Sequence, residues 1–192
     1  MRTEQGAEAT VEIGDEKVLK KRKPKKYRHP ELDQKIREER TETEKELIQK
    51  ASKYGVNTPK IRKENISTLE MEKIEGESLK KVAGSEKEVF EKMGENVARL
   101  HSTGIIHGDL TTSNALISGE KVFLLDFGLS FQSDRTEDKA VDIHLLKQVL
   151  ESSHPEVAEK AWENFLKGYK DLEESEEVLK QLEEVEKRGR YK

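Results

Sequence analysis

Three oxygen-bearing side chains in the middle of the chain, Asp109, Asn114 and Asp126, stand in an order that suits phosphoryl transfer. They lie in His107-Gly108-Asp109-Leu110-Thr111-Thr112-Ser113-Asn114 and in Leu124-Leu125-Asp126-Phe127-Gly128. Moving a phosphoryl group takes a carboxylate that orients the attacking hydroxyl and accepts its proton. It also takes hard oxygen ligands for magnesium on the phosphates. Asp109 suits the first task, and Asn114 with Asp126 the second. Either segment alone is equally explained by a capped turn. Both in order, with a strand hairpin between them, point to one cleft.

The elements that must hold these residues are legible from periodicity. Glu86 to His101 carries Val89, Phe90, Met93, Val97 and Leu100 at helical intervals, which predicts a helix running into the loop at Gly104 to Asp109. Ala115 to Ile117 and Lys121 to Leu125 flank Ser118-Gly119 and predict a hairpin that ends at Asp126. Upstream, Val11 and Ile13, then Val18 and Leu19, surround Gly14-Asp15 as another hairpin. Pro30 can open a long helix over Glu31 to Lys53 that Gly55 would end. Its narrow predicted stripe is Leu32, Ile36, Leu47, Ile48 and Ala51. Further strands are expected around Lys60 to Arg62 and Ser67 to Ile74, and helices over Lys139 to Ser152, Glu156 to Tyr169 and Glu173 to Lys187. Strands first and helices second, with one long helix inside the strand-rich half, predict two lobes, 1–75 and 76–192.

The two motifs together resemble the catalytic loop and the Asp-Phe-Gly motif of protein kinases. That resemblance implies an α+β, two-lobed protein-kinase-like fold using ATP and Mg2+, with Asp109 catalytic and Asn114 and Asp126 on the metal. It also assigns roles in the N-terminal half. Gln5-Gly6-Ala7-Glu8-Ala9 falls where a kinase keeps its phosphate-covering loop, so Gly6, Ala7, Glu8 and Ala9 would border the nucleotide. Lys20, ending the strand Val18-Leu19, takes the place of the lysine on the α- and β-phosphates. Glu44 would hold it by an ion pair, with Glu42 and Glu46 as nearby competitors. Met71-Glu72-Lys73-Ile74 would be the hinge, where the backbone of Glu72 and Ile74 meets adenine. Asp142 corresponds to an aspartate that hydrogen-bonds the catalytic-loop backbone.

The departures from that pattern narrow it. Gly108 stands where most eukaryotic kinases carry Arg, and Thr111 where serine/threonine kinases carry Lys. After Asp126-Phe127-Gly128 there is no long activation segment and no Ala-Pro-Glu. This is similar to RIO-type atypical kinases, and more closely to the small kinase subunit of the KEOPS complex. The latter likeness rests on Gln5 to Ala9, Lys25-Lys26-Tyr27-Arg28-His29-Pro30, Arg40-Thr41 with Glu44, and His107 to Asn114. Glu137-Asp138-Lys139-Ala140-Val141-Asp142 and Arg188-Gly189-Arg190 complete it. It implies a Ser/Thr kinase and ATPase supporting threonylcarbamoyladenosine formation in tRNA, partnered by a transferase subunit and by a small regulatory subunit on the N-terminal lobe.

Composition fits such a protein without identifying it. The chain is 32% hydrophobic and 40% charged, with a formal net charge of −4. The apolar residues fall in periodic clusters, so a heavily charged surface is expected rather than disorder. Absence of cysteine excludes disulfides and thiolate metal sites. The longest apolar run, Val122 to Leu125, is too short for a bilayer, and a cytoplasmic protein is expected. Lys20 to Arg28 is a basic run that reads either as a solvated face or as a phosphate-attracting one near tRNA. The tail Arg188 to Lys192 likewise reads as a fraying end or a reach toward tRNA or the cleft. Two other functions remain compatible with these residues: a silent ATP-binding adapter, and a free small-molecule kinase.

Overall fold

Two short strands on either side of Gly14-Asp15 build the first layer of the fold, and inward and outward side chains alternate over residues 19–22. The computed structural model describes residues 2–6, 8–82 and 88–189; Ala7, Glu86, Arg190 and Lys192 lie outside them. Strands β1 (Arg2–Gln5), β2 (Ala9–Ile13), β3 (Lys17–Arg22), β4 (Ile61–Asn65) and β5 (Thr68–Glu72) form an antiparallel sheet in the order β1-β2-β3-β5-β4. The strand expected over 60–62 therefore starts one residue later and ends three later, and the one expected over 67–74 is shortened by one residue at its start and two at its end. β1 is polar and exposed along its whole length, so no alternation announced it.

Helix α1 (Pro30–Lys53) begins with Pro30 in its first turn. Glu31 and Asp33 near its N-terminus and Lys50 and Lys53 near its C-terminus match the helix dipole. Only its second half is seated on apolar residues, through Leu47, Ile48 and Ala51. The expected apolar stripe fails at Leu32, which is 53% exposed. Thr41 at mid-helix and Glu44 beyond it are buried polar residues, and the first turns bury Asp33 in place of the stripe. The cause is what it packs against, namely the basic segment after β3. Asp33 accepts from the Lys25 N–H (3.0 Å) and from Arg37 Nε (2.7 Å).

The second half of the chain is mainly helical. Strand β6 (Glu77–Ser78) leads to a short helix α2 (Leu79–Val82), then to α3 (Glu88–Ser102) and β7 (Ile105–Ile106). A 3-10 turn at Thr112–Asn114 precedes the hairpin β8 (Ala115–Ser118) and β9 (Lys121–Leu124), which β6 extends to three strands. β10 (Phe131–Gln132) pairs back onto β7, and α4 (Thr136–Ser153) starts three residues before its expected start at Lys139. The path from Gly128 to α4 is thus a short turn with one two-residue strand, and an extended substrate platform has no place in it. Helices α5 (Ala158–Tyr169) and α6 (Ser175–Gly189) complete the chain.

All five predicted α3 core residues are buried. α3 meets α5 so closely that a Cβ on Gly94 would lie 2.1 Å from the Phe165 carbonyl oxygen. On the other side, a Cβ on Gly168 would lie 1.9 Å from that of Glu91. Backbone-to-backbone packing at these two glycines fixes the helix that delivers the central loop. α6 seats Val178 and Leu182 in the core, with Leu179 and Val185 partly buried against it, and Leu172 is buried in the turn before the helix. Trp162 and Phe165 stack at 5.3 Å, as core residues of α5. Among the described residues no helix is long and apolar enough to cross a membrane.

Candidate functional site

The two halves are joined where β3, α1 and the end of β9 converge. Lys20 and Arg22 are two apart on β3, so both project to one face of the sheet. Lys21, between them, points away and pairs with Glu12 at 2.7 Å. Lys20 Nζ donates to Glu44 Oε1 (2.5 Å) and to Asp126 Oδ1 (2.6 Å). Arg22 Nη2 donates to the other Glu44 oxygen, Oε2 (2.6 Å). Of the three acidic candidates on α1, Glu44 is the one turned inward, at 2% exposure. Glu42 is exposed and paired with Lys45 on its own helix, and Glu46 is exposed. The basic run is therefore not one solvated face: Lys20 and Arg22 belong to the interior.

Asp126 has φ 58°, a left-handed backbone that a side chain rarely adopts. The same carboxylate oxygen accepts from the Gly128 N–H at 3.2 Å. Burial raises the Asp126 pKa, but the Lys20 charge and hydrogen bond outweigh it and hold the group below the usual carboxylate range.

The central loop is held by different means. The Gly108 N–H donates to Asp142 Oδ1 (2.9 Å) and the His107 N–H to Asp142 Oδ2 (2.8 Å). Asp142 is buried on α4, and burial raises its pKa. The His101 hydrogen bond, with the positive ends of the histidines and backbone amides, overcomes that and lowers it. His101 Nε2 donates to Asp142 Oδ2 (3.1 Å), and the Tyr169 hydroxyl donates to His101 Nδ1 (2.7 Å). Burial and the neighbouring carboxylates push the Tyr169 pKa upward, which keeps it a donor. Ser130 Oγ donates to the His107 carbonyl at 2.8 Å. Gly108 has φ 79°, and a Cβ there would lie 2.3 Å from the Leu129 carbonyl oxygen, so no side chain fits this position.

His107 links the two motifs. Its Nδ1 accepts from the Asp109 N–H (3.3 Å) while its Nε2 donates to the Leu125 carbonyl (3.0 Å). Burial lowers its pKa and keeps the ring neutral, against the pull of Asp142 and its neighbours. Asn114 turns its amide nitrogen to Asp109, donating to the Asp109 carbonyl (2.9 Å) and to Oδ2 (2.8 Å). That orientation leaves the Asn114 amide oxygen as the atom of this side chain that could ligate a cation. His154, the residue that caps the C-terminus of α4, makes a structural contact: its Nε2 meets Thr112 Oγ1 at 3.1 Å.

The remaining expected residues lie around this centre. The Gly6 N–H donates to the Ala9 carbonyl at 2.9 Å, closing the turn between β1 and β2. Glu8 pairs with Arg40 of α1 at 2.7 Å, and Ala9 is buried. Ala7 falls outside the described residues. The Glu72 N–H is taken by the Lys60 carbonyl at 2.9 Å, so a contact from its backbone to a ligand falls to the carbonyl. Ile74 follows it, half-buried, just past β5. Of the basic tail, Arg188 Nη1 is bonded to Glu137 Oε1 on α4 at 2.9 Å. Arg22, Tyr169 and the role of His101 were missed from sequence. For Arg22 a signal existed, since strand periodicity alone puts it beside Lys20.

Among the described residues no three His, Asp or Glu side chains converge as a metal cage. One carboxylate (Asp126) and one amide oxygen (Asn114) are a donor set that Mg2+ can use when phosphates and water complete its shell. The residues present therefore fit magnesium carried with a nucleotide.

Comparison with known proteins follows this geometry. Residues 9–161 match the family model described as RIO domain. The "Probable bifunctional tRNA threonylcarbamoyladenosine biosynthesis protein" of Methanosarcina acetivorans is 45% identical over 198 residues, covering 99% of this chain and 35% of that protein. The chain thus spans about a third of the length of such bifunctional relatives. The "KEOPS complex subunit Bud32" of Pyrococcus abyssi is 38% identical over 208 residues, covering 98% of this chain and 94% of that protein. In structure, the Rio2 kinase from Chaetomium thermophilum superposes with a TM-score of 0.70 at 16% identity, covering 99% of this chain and 72% of that one. Its ADP/Mg2+-phosphoaspartate complex gives 0.68, also at 16% identity, covering 100% and 71%. At that identity the likeness speaks to the fold, which is protein-kinase-like.

Proposed function

The chain belongs to the RIO-domain family, and on that premise we propose that it is an ATP-dependent kinase and ATPase working at the cleft around Lys20 and Asp109. The observation that carries this reading is Lys20 Nζ, 2.5 Å from Glu44 and 2.6 Å from Asp126. Three residues from three distant segments meet at one point, where phosphates can replace one carboxylate as the partner of the lysine.

In this reading 1–75 and 76–192 are the two lobes. Adenine lies at the hinge against the backbone of Glu72 and Ile74, and Gly6 to Ala9 cover the phosphates. Lys20, steadied by Glu44, neutralises the α- and β-phosphates. Asp109 accepts the proton of the attacking hydroxyl or water, and Asn114 keeps its carboxylate aimed through the 2.8 Å bond to Oδ2. Asn114 and Asp126 would hold Mg2+, which supplies charge neutralisation on the phosphates when bound. His107, neutral and bonded to both motifs, keeps Asp109 and Asp126 in register.

The physiological setting proposed is formation of threonylcarbamoyladenosine in tRNA, in the cytoplasm, as the kinase part of a KEOPS complex. The partners are its transferase subunit and a small regulatory subunit. The relatives carry that role in their names, and the exposed part of the basic run supports it. Lys23 and Lys26 project outward from the loop between β3 and α1, where they can neutralise tRNA phosphates. Protein Ser or Thr hydroxyls are the proposed acceptors when the γ-phosphate is not passed to water.

The test is ATP hydrolysis and γ-phosphate transfer by wild type and Asp109→Ala, each alone and then with the transferase subunit and tRNA. Stimulation by partner or tRNA that Asp109→Ala abolishes is the expected result. Binding of ATP with no turnover in any mixture would replace the enzyme by an ATP-binding adapter.

A further inference from the structure

We infer that Arg22 is a positioning residue of the nucleotide site, holding Glu44 and α1 in place while Lys20 changes partners. The inference rests on the functional reading above and extends it to a residue that the phosphate chemistry does not itself require.

Glu44 is almost fully buried, and its two oxygens are divided between two cations: Oε1 takes Lys20 and Oε2 takes Arg22, the latter at 2.6 Å. Arg22 Nη2 also reaches the Arg40 carbonyl, one turn earlier on α1, at 3.4 Å. Arg22 therefore ties β3 to α1 at two points, neither of which involves Lys20. Lys20, by contrast, is shared between Glu44 and Asp126 across the cleft.

With a nucleotide bound, Lys20 would turn toward phosphate and Asp126 would help hold the metal. If Lys20 were the sole cation on Glu44, each step of Lys20 toward phosphate would strip a buried carboxylate of its partner. Leaving a buried charge uncompensated is strongly unfavourable. With Arg22 on the second oxygen, Glu44 stays paired throughout. A guanidinium suits this task because it cannot lose its proton and presents a rigid planar fork, whereas an ammonium is a mobile point charge. The location agrees: a Cβ on Gly128 would lie 2.9 Å from Lys20 Nζ and 3.6 Å from Arg22 Nη2, so the two cations lie side by side against the backbone that follows Asp126. Lys20 is the cation shared with Asp126, and Arg22 is the one committed to α1.

The test is a double-mutant cycle read as the Kd for Mg2+-ATP on folded protein, by calorimetry, with melting curves alongside. Arg22→Gln should weaken binding about tenfold when Glu44 is present, and by less than about twofold in a Glu44→Gln background, because the effect passes through Glu44. Arg22→Lys should recover part of the affinity. Equal weakening in both backgrounds would overturn the inference by making Arg22 a direct phosphate contact. An unchanged Kd with only a lowered melting temperature would overturn it by making Arg22 a purely structural anchor. Should Arg22→Gln fail to fold, Arg22→Lys decides. A Kd at least about threefold weaker supports the positioning role, and a wild-type Kd overturns it. A wild type that binds no Mg2+-ATP at all overturns the functional reading itself, which none of the Arg22 results alone would do.

Discussion

The two walls of the cleft are built by opposite strategies. On the sheet side, Lys20, Arg22 and Glu44 are charged, deeply buried and held by one another, with Asp126 as a fourth member contributed from across the cleft. On the loop side, Asp109 and Asn114 ride on a backbone whose N–H groups at His107 and Gly108 are taken by one buried aspartate, Asp142. Charges held mainly by one another can be re-paired when a more highly charged ligand arrives. Backbone amides locked onto a buried acceptor have no alternative partner. The sheet side is therefore the adjustable wall and the loop side the fixed one, which suits the proposed roles of Lys20 on phosphates and of Asp109 as an aimed base.

Removing the base should separate the walls most sharply. Asp109→Ala is expected to cut ATP turnover by about 10³-fold, the scale of a lost general base, while Kd for Mg2+-ATP stays within about twofold. A parallel loss of binding would mean that the fixed wall also grips the nucleotide.

Asp142→Ala should give the largest stability loss, about 3–5 kcal/mol in urea unfolding, because two backbone donors and His101 lose a buried acceptor. Turnover of the folded fraction should fall while nucleotide affinity changes less. If affinity falls as far as turnover, the distinction between the walls is wrong.

Gly168→Ala drives a methyl group into the Glu91 carbonyl, 1.9 Å from where it would sit. It should cost about 1–3 kcal/mol, read as a lower melting temperature. It disturbs the platform under the fixed wall, so Kd should again be spared.

Acidification offers the gentlest comparison. Burial depresses the His107 pKa below its usual 6.5, so the unfolded chain binds the proton first and stability falls as pH drops below 6.5. Asp126 is also depressed, but as a carboxylate. Its contribution is complete above about pH 3.8 and is lost as pH falls through its lowered value. The fixed wall should therefore loosen at milder acidity than the ion cluster. Melting temperature against pH should lose part of its slope below pH 6.5 in His107→Asn and keep it in Lys20→Met. Equal slopes in wild type and His107→Asn would remove His107 as the cause.

Elements with strong local signals were readable from the chain. α3 announced itself through five apolar residues at helical spacing, and the hairpin before Asp126 through its turn at Ser118-Gly119. β1, β6, β7 and β10 gave no such signal, because strands that are polar or two residues long exist only through the partners they pair with. The first half of α1 misled in the other direction. Leu32 fits a helical stripe, yet the surface beneath is a charged loop, and Asp33 is buried in its place. At the site, strand periodicity was enough to put Arg22 beside Lys20. The partnership of His101 with Tyr169 and Asp142 joins residues 68 and 41 positions apart and had no local trace.

The sequence by itself determined which side chains could do the chemistry, since Asp109, Asn114 and Asp126 stand in short motifs whose spacing is set by a loop and a hairpin. It also determined that α3 and the β8–β9 hairpin would carry them. Only the tertiary structure decided which acid on α1 faces Lys20, that Arg22 shares it, and that Asp126 is held from 106 residues away. Those choices depend on how sheet, helix and loop pack. A charge is buried only where packing supplies its counter-charge, and no local pattern encodes a partner that lies across the fold.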